Sequence, residues 1–376
     1  MGPIQVEEAA EDRHRGAPLV AHIFPTFAVG GAQVRFAAIA NHFGRAFRHI
    51  VVSLDGNLVC QERLRPDLDV TFPPVRVTKS AMLSSAWRFR RLLREWRPDV
   101  LVTCNWGAIE FALANILPMT RHLHVVDGFG PEERATQIPR RVLMRRMVLG
   151  RTPVVLPSRN LVRIATEVWK LPPQVIRYVP NGVELQRFAE QASGRGSSPL
   201  VIGTIAALRE EKNIARLLRA FALLQKTIPV RLIIVGDGPE RAALTALAAE
   251  IGVAEQVTFA GHRQDTPDFY ARFDVFALSS DTEQMPFSVI EAMASGLPVV
   301  STDVGDVRSM VAEANAQFVT RLDDAALAAA LRRLLADPAL RREVGVANRA
   351  KAHRDFDQAA MFAAHGALWR GISASP

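Results

Sequence analysis

DVFALSSDTEQMPFSVIEAMASGLPVVST, Asp274 to Thr302, reads as strand, loop, helix, turn and strand. Val275 to Leu278 is a short apolar run bounded by polar residues, suited to a parallel strand covered on both faces, and Pro298 to Ser301 repeats that character. Pro286 fits the first helical position, where a missing N–H costs nothing, and Gly296 fits the position just past the helix end. Glu283 stands in the loop entering the helix and Glu291 about a turn inside it, so both carboxylates lie near the helix's positive end. A helix N-terminus after a parallel strand offers unpaired N–H groups and a partial positive charge to an anion such as a phosphate. Carboxylates beside such a site accept hydrogen bonds from vicinal hydroxyls, as an acidic residue does from a ribose in dinucleotide-binding sheets. Taken singly, each glutamate is more ordinarily a solvated side chain; the surrounding chain has to decide.

Outward from this stretch, Leu200 to Ile205, Arg231 to Gly236 and Val257 to Ala260 read as further strands, each followed by a loop. The first of these loops carries Arg209 and Lys212 ahead of the helix Ile214 to Gln225, where cations and free N–H groups together suit a diphosphate. Gly236 leads into Asp237-Gly238-Pro239, and the third strand enters Gly261-His262-Arg263. In the first half, Leu19 to Pro25, Ile50 to Leu54, Val100 to Thr103 and His122 to Val126 are strand candidates separated by helical stretches such as Ala32 to Phe43 and Ala86 to Trp96. Val154 to Ser158 reads as the last strand of this first sheet. Alternation of this kind makes an α/β protein with parallel sheets, whose ligands bind beyond the carboxyl ends of the strands. Gly30-Gly31, between the first strand and its helix, lets backbone approach a ligand closely, and Asp127-Gly128-Phe129-Gly130 lies in the same zone. Neither is a G-x-G-x-x-G dinucleotide fingerprint. His22, inside a strand, reads as a core histidine.

The 376 residues suffice for two separate cores, and 49% of them are apolar. No run of about 18 uninterrupted apolar residues is present, so no transmembrane helix is expected. The polar residues 1–17 do not read as a signal peptide, which places the chain in the cytoplasm. Cys60 and Cys104, far apart, exclude a disulfide framework and give no metal-ligand spacing. Residues 1–190 carry 26 Lys and Arg against 17 Asp and Glu, whereas residues 191–376 carry 20 against 21. The positive excess in the first half suits a membrane surface, an acidic acceptor or nucleic acid, and plain solvation of arginines explains it as well. The basic amphipathic stretch Arg140 to Arg151, with Trp87, Arg88, Arg90, Arg91, Arg94 and Trp96, is the membrane-surface candidate. No nucleic-acid module is recognisable.

Gln191 to Pro199, small, polar and Gly/Ser-rich, reads as a domain linker. The expected organisation is a poorly ordered 1–18, a first domain at 19–190, the linker 191–199, a second domain at 200–355, and a helical 356–376 reaching back to the first.

The second half resembles the nucleotide-sugar domain of the family 4 glycosyltransferases, two-domain enzymes of the GT-B fold. Four features carry the resemblance: Glu283-x7-Glu291 with the following Ala-Met-Ala-Ser-Gly-Leu-Pro-Val-Val, Val235-Gly236-Asp237-Gly238-Pro239, Glu211-Lys212-Asn213, and Pro180-Asn181-Gly182-Val183. Gly30-Gly31-Ala32-Gln33 is similar to the family's first loop, and Asp127 to Glu133, DGFGPEE, resembles one bacterial branch. The resemblance implies two Rossmann-like parallel-sheet domains facing a central cleft. It implies that Glu291 binds the nucleotide ribose, that Glu283 takes the hydroxyls of the donor sugar, and that Lys212 neutralises the departing diphosphate. Backbone N–H groups near Phe287 and Ser288 would hold phosphate oxygens, with the Gly261 to Arg263 loop, including His262, bordering the base. Members act with retention of anomeric configuration and without a bound metal or cofactor, the nucleotide diphosphate sugar being the donor substrate. The implied partner is a glycan or lipid-linked acceptor, with peripheral contact to an anionic membrane through the basic first half and no nucleic acid. Two departures stand out. The family commonly has an Arg five residues before the loop lysine, where this chain has Ala207, leaving Arg209 as the substitute. Asp127 stands where many members carry a histidine near the reacting sugar carbon. A nucleotide-sugar epimerase of the same architecture, or a non-catalytic sugar-nucleotide-binding protein, are the alternatives.

Overall fold

The computed structural model describes residues 16–75, 82–133, 136–189, 198–225 and 228–371. The stretch expected to be poorly ordered, up to residue 15, and most of the expected linker lie outside the described residues. The chain forms two compact units, Met1–Pro180 with Met361–Pro376, and Asn181–Ala360.

In the first unit, β1 (Leu19–Phe24), β2 (Arg48–Ser53), β3 (Val70–Thr71), β4 (Val100–Cys104), β5 (Arg121–Val125), β6 (Val154–Leu156) and β7 (Ile176–Tyr178) form one sheet in the order β3-β2-β1-β4-β5-β6-β7. Every pairing is parallel. In the second unit, β8 (Leu200–Ile205), β9 (Val230–Val235), β10 (Val257–Gly261), β11 (Val275–Leu278), β12 (Val299–Thr302) and β13 (Val319–Thr320) form a parallel sheet in the order β10-β9-β8-β11-β12-β13. Parallel central strands are covered by helices on both faces, which is why β4, β11 and β12 are buried at every position, β11 as an unbroken apolar run and β4 and β12 with Thr103, Ser301 and Thr302 buried among apolar residues. In both sheets the order reverses at the first strand, so a crevice opens beyond the carboxyl ends of β1 and β4 in one unit and of β8 and β11 in the other.

Val154 to Ser158 is not the last strand of the first sheet. β7 lies outside it, and Ser158 caps the helix Arg159–Glu167, its hydroxyl accepting from the Leu161 N–H at 3.0 Å. Pro286 is likewise the cap preceding the helix Phe287–Ala294, extended at φ −69° and ψ 124°, one position earlier than expected.

The division between units falls after Pro180, earlier than the Gly/Ser-rich stretch suggested. The reason is the Asn181-Gly182-Val183 turn, which is built into the second unit. Asn181 Nδ2 donates to the Met285 carbonyl at 2.8 Å, and the Val183 and Gln358 backbones exchange bonds with Phe356 and Val183 at 3.0 and 3.1 Å. The last helix, Gln358–Arg370, crosses the other way. Trp369 is buried among His22, Phe47 and His49 of the first unit, with ring centroids 5.2 to 5.5 Å away, and Phe362 stacks on His42 at 4.5 Å. His22 is therefore a core residue, 1% exposed, and burial followed by the neighbouring His49 and His365 holds its pKa well below the ordinary value.

Two fully buried asparagines fix the end of the Phe287–Ala294 helix and the start of β12. Asn315 exchanges both side-chain bonds with the Val299 backbone at 2.8 Å, and Asn348 donates to the Leu297 carbonyl at 2.9 Å while accepting from the Ala312 N–H at 3.0 Å. Buried amides survive only when satisfied in this way.

Candidate functional site

The loops after β8 and β11 meet at the crevice of the second sheet. Asn213 follows Lys212 in a left-handed conformation (φ 41°), turning its side chain back to donate to both Asp281 oxygens at 3.1 Å. Arg216 Nη1 donates to Asp281 Oδ1 at 2.7 Å and to the Ser279 carbonyl at 2.8 Å. The Asp281 N–H donates to the Glu211 carbonyl at 2.9 Å, and Ser279 Oγ donates to the Lys212 carbonyl at 3.1 Å. The two loops are thus stitched together by backbone and side chain, so the residues they carry are pre-positioned.

What they carry is an ion pair. Lys212 Nζ lies 2.6 Å from Glu283 Oε1, which also accepts from Ser280 Oγ at 2.8 Å. The side chains are 24% and 11% exposed. A pair this far out of water gains little net stability against its desolvation cost. It is better understood as a charge pair that a ligand can rearrange, the ammonium turning to an anion and the carboxylate to hydroxyls.

Glu291 lies within the helix Phe287–Ala294, one turn from its start. Its Oε2 faces the hydroxyl of buried Tyr270 at 2.8 Å, and that hydroxyl also reaches the Ser288 carbonyl at 3.0 Å. Burial pushes the Glu291 carboxyl up to about 7, with the Tyr270 bond and Arg187 opposing. Phe287 and Ser288 occupy the first turn of the same helix, where N–H groups have no intrahelical acceptor. Pro286, at the cap position, makes no side-chain capping hydrogen bond.

Gly236 plays a part that its place in the motif did not reveal. Its φ of 137° and the closeness of the Ala206 carbonyl, 1.9 Å from where a Cβ would sit, leave no room for a side chain. Around it, Leu208 N–H donates to the Asp237 carbonyl at 2.9 Å and Gly236 N–H to the Gly261 carbonyl at 2.8 Å, tying the ends of β8, β9 and β10 together. His262 and Arg263 follow β10 as exposed residues, Arg263 lying over the Phe269 ring at 5.6 Å. Arg209 is exposed, with no ion pair among the described residues.

Gly30, Gly31 and Asp127 belong to the first unit. Gly30 is the extended residue before the helix Gly31–Phe43, whose Arg35 reaches Asp127, Nη2 to Oδ1 at 2.6 Å. The Asp127 N–H donates to Asn105 Oδ1 at 2.8 Å, and Asp127 Oδ2 is buried without a hydrogen-bond partner among the described residues. The negative charge there, after burial itself, helps push the Cys104 thiol up. Of the basic stretch after it, Arg145 is not a surface residue. It pairs with buried Glu133 at 2.7 Å and lies over Trp106, Phe129 and Trp169 at 4.9 to 5.6 Å. Leu143 and Met147 are 57% and 56% exposed, and Trp87 is 75% exposed. No described helix is long and apolar enough to cross a membrane.

Sequence reading missed Tyr270, Ser280, Asp281 and Arg35. The last carried a signal, since it stands one helical turn after Gly31. Ser280 was also local, three residues before Glu283, whereas Tyr270 and Asp281 meet their partners only through the packing of distant elements.

Residues 29–187 match the family model described as Glycosyltransferase Family 4, and residues 186–351 match that described as Glycosyl transferases group 1. A GDP-mannose-dependent alpha-(1-6)-phosphatidylinositol monomannoside mannosyltransferase of Mycolicibacterium smegmatis is 31% identical over 290 residues, 70% of this chain and 74% of that protein. The lipopolysaccharide core biosynthesis glycosyltransferase LpsD of Rhizobium meliloti is 27% identical over 291 residues, 76% of this chain and 80% of that protein. HepE of Anabaena, solved in complex with UDP-glucose, shares the fold with a TM-score of 0.77 at 18% identity, covering 94% of this chain and 99% of that one. The chain belongs to the family 4 glycosyltransferases and has the GT-B fold.

Proposed function

We propose that this glycosyltransferase moves a sugar, with retention, from a nucleotide diphosphate sugar to a hydroxyl of a glycan or lipid-linked acceptor in cell-surface polysaccharide synthesis. The observation that carries the reading is the Lys212–Glu283 pair at the β8/β11 crevice, beside the first turn of the Phe287–Ala294 helix. Lys212 and the N–H groups of Phe287 and Ser288 take the diphosphate, with Arg209 as a second cation in the position left by Ala207. Glu283, released from Lys212, accepts from the sugar hydroxyls, and Glu291 accepts from the ribose. His262 and Arg263 border the base. The family resemblance assigns Gly30 and Gly31 to donor binding and Asp127 to the catalytic set. No metal is required, because Lys212 and the helix end neutralise the leaving group. The M. smegmatis relative, named for GDP-mannose and a phosphatidylinositol mannoside, and LpsD, named for lipopolysaccharide core biosynthesis, support this choice of donor and acceptor. The exposed Leu143, Met147 and Trp87 beside arginines support peripheral attachment at the inner membrane face.

A melting-temperature screen of UDP, GDP, ADP and their sugars tests the donor. One nucleotide class is expected to stabilise the chain, by about 2.7 kcal/mol at one hundred times its Kd; no shift with any of them would rule the reading out. Affinity for the sugar nucleotide is then expected to rise with pH through about 7, because ribose hydroxyls donate to the ionised Glu291. The ligand-free chain behaves oppositely. Its Glu291 binds a proton more tightly folded than unfolded, so this contribution to stability is full below about 4.5 and is lost as pH rises through about 7. Glu291→Gln is expected to flatten both dependences, and a rise in affinity that persists in that variant would assign it to another group.

A further inference from the structure

The first unit contains a cavity of about 760 Å³ at the amino ends of β4, β5 and β6, the sheet edge opposite Asp127. Arg121, Arg146, Arg151 and Arg177 line it, and no described lining residue is Asp or Glu. The buried arginines of this unit are neutralised, Arg35 by Asp127 and Arg145 by Glu133. The four at the cavity, of which Arg121, Arg146 and Arg151 are exposed and Arg177 is half-buried, are in no ion pair among the described residues. Arg121 Nη2 donates to the Trp369 carbonyl at 2.9 Å, and Arg177 Nη1 to the carbonyls of Gln174 and Ile176 at 2.7 and 2.9 Å. Those bonds fix the two guanidinium groups without cancelling their charge. Arg146 and Arg151 are exposed and stand outside every ion pair among the described residues. His122 adds no charge, since its ring nitrogens are engaged by Thr152 Oγ1 at 3.2 Å and Thr103 Oγ1 at 2.8 Å, and burial lowers its pKa to about 3.

The rest of the wall is apolar. Val100, Leu123, Val148 and Leu368 form buried lining, and Ile116 and Met147, 49% and 56% exposed, are further apolar lining residues. Four like charges around one cavity repel one another unless an anion joins them, and guanidinium forks match phosphate oxygens. An inorganic anion would leave the apolar wall unused.

We propose that this cavity is a second ligand site, for a phosphate ester bearing an apolar group, whose phosphate the arginines hold and whose substituent lies along the apolar wall. A membrane lipid and a soluble phosphorylated amphiphile share that chemistry. The site uses none of the residues assigned to the donor, and it does not depend on the donor reading.

The test is calorimetric titration of the full chain with dihexanoyl phosphatidic acid below its micelle concentration, with dihexanoyl phosphatidylcholine and inorganic phosphate as comparisons. One-to-one binding of the phosphatidic acid is expected, with inorganic phosphate weaker by roughly tenfold or more. Arg146→Ser/Arg151→Ser, and separately Ile116→Trp, which narrows the cavity without changing charge, are each expected to weaken it roughly tenfold. Hydrogen exchange is expected to slow in residues 116–123 and 146–153 on binding. Vesicles of phosphatidylcholine with phosphatidic acid identify the source. Competition between vesicle and monomer supports a membrane lipid in the site, and undisturbed monomer binding in their presence supports a soluble ligand. No binding of the phosphatidic acid, equal affinity for inorganic phosphate, indifference to both variants, or protection confined to other segments would overturn the proposal.

Discussion

Lys212→Ala is expected to lower kcat and kcat/KM for sugar transfer together, by roughly 10²–10³-fold, as removal of a single group that stabilises developing charge does. As the bond to the sugar breaks, negative charge accumulates on the departing diphosphate, and a nearby ammonium is worth most at that moment. Lys212 is held for this by the Asn213, Arg216 and Asp281 bonds that stitch its loop to the one carrying Glu283. Because Glu283 Oε1 already holds the ammonium at 2.6 Å without a donor, the lysine exchanges one anion for another and pays no fresh desolvation. Lys212→Arg is expected to recover little, since a planar fork does not fit a site built around a compact ammonium. Steady-state kinetics with the donor identified by the melting screen measures both. Activity within tenfold of the parent in Lys212→Ala would remove Lys212 from the chemistry.

Gly236→Ala is expected to destabilise the second unit by about 2–4 kcal/mol, the size of effect that a backbone collision produces. Its φ of 137° is one reason, and the Ala206 carbonyl 1.9 Å from the added Cβ is the larger one. Gly252→Ala is the control. Gly252 also has a positive φ, 74°, but nothing lies within 4 Å of its Cβ position, so only the conformational cost of about 1 kcal/mol remains. Denaturant unfolding of the two variants separates collision from strain, and equal losses would mean that the β8 and β9 ends are looser than they stand. Relief of the collision displaces residues 206–212, so donor affinity is expected to fall in Gly236→Ala and not in Gly252→Ala.

The strand–loop–helix–strand reading of Asp274 to Thr302 was legible because each piece carries its own punctuation, with an apolar run, Pro286, Gly296 and a second apolar run. The pair Lys212–Glu283 was not legible as a contact. It depends on β8 lying beside β11 in the sheet, a long-range pairing that no local pattern encodes. Tyr270 was hidden for the same reason, since its helix, Thr266–Arg272, reaches Glu291 only once both pack on one face. The strands β3, β7 and β13, of two, three and two residues, are too short to show a period and exist because a neighbour's backbone offers a partner. The Asn181-Gly182-Val183 turn was visible as a motif, but its physical reason, the Met285 carbonyl and the Phe356–Gln358 backbone, lies far along the chain.

The most direct measurement is the product of a single incubation with the stabilising sugar nucleotide and a lipid-linked glycan acceptor, followed by NMR of the new anomeric centre. One nucleoside diphosphate released per sugar transferred, with the anomeric configuration of the donor kept, is the expected result. An inverted centre would contradict the retaining chemistry, and conversion of the donor sugar without transfer or release of nucleotide would contradict glycosyl transfer itself.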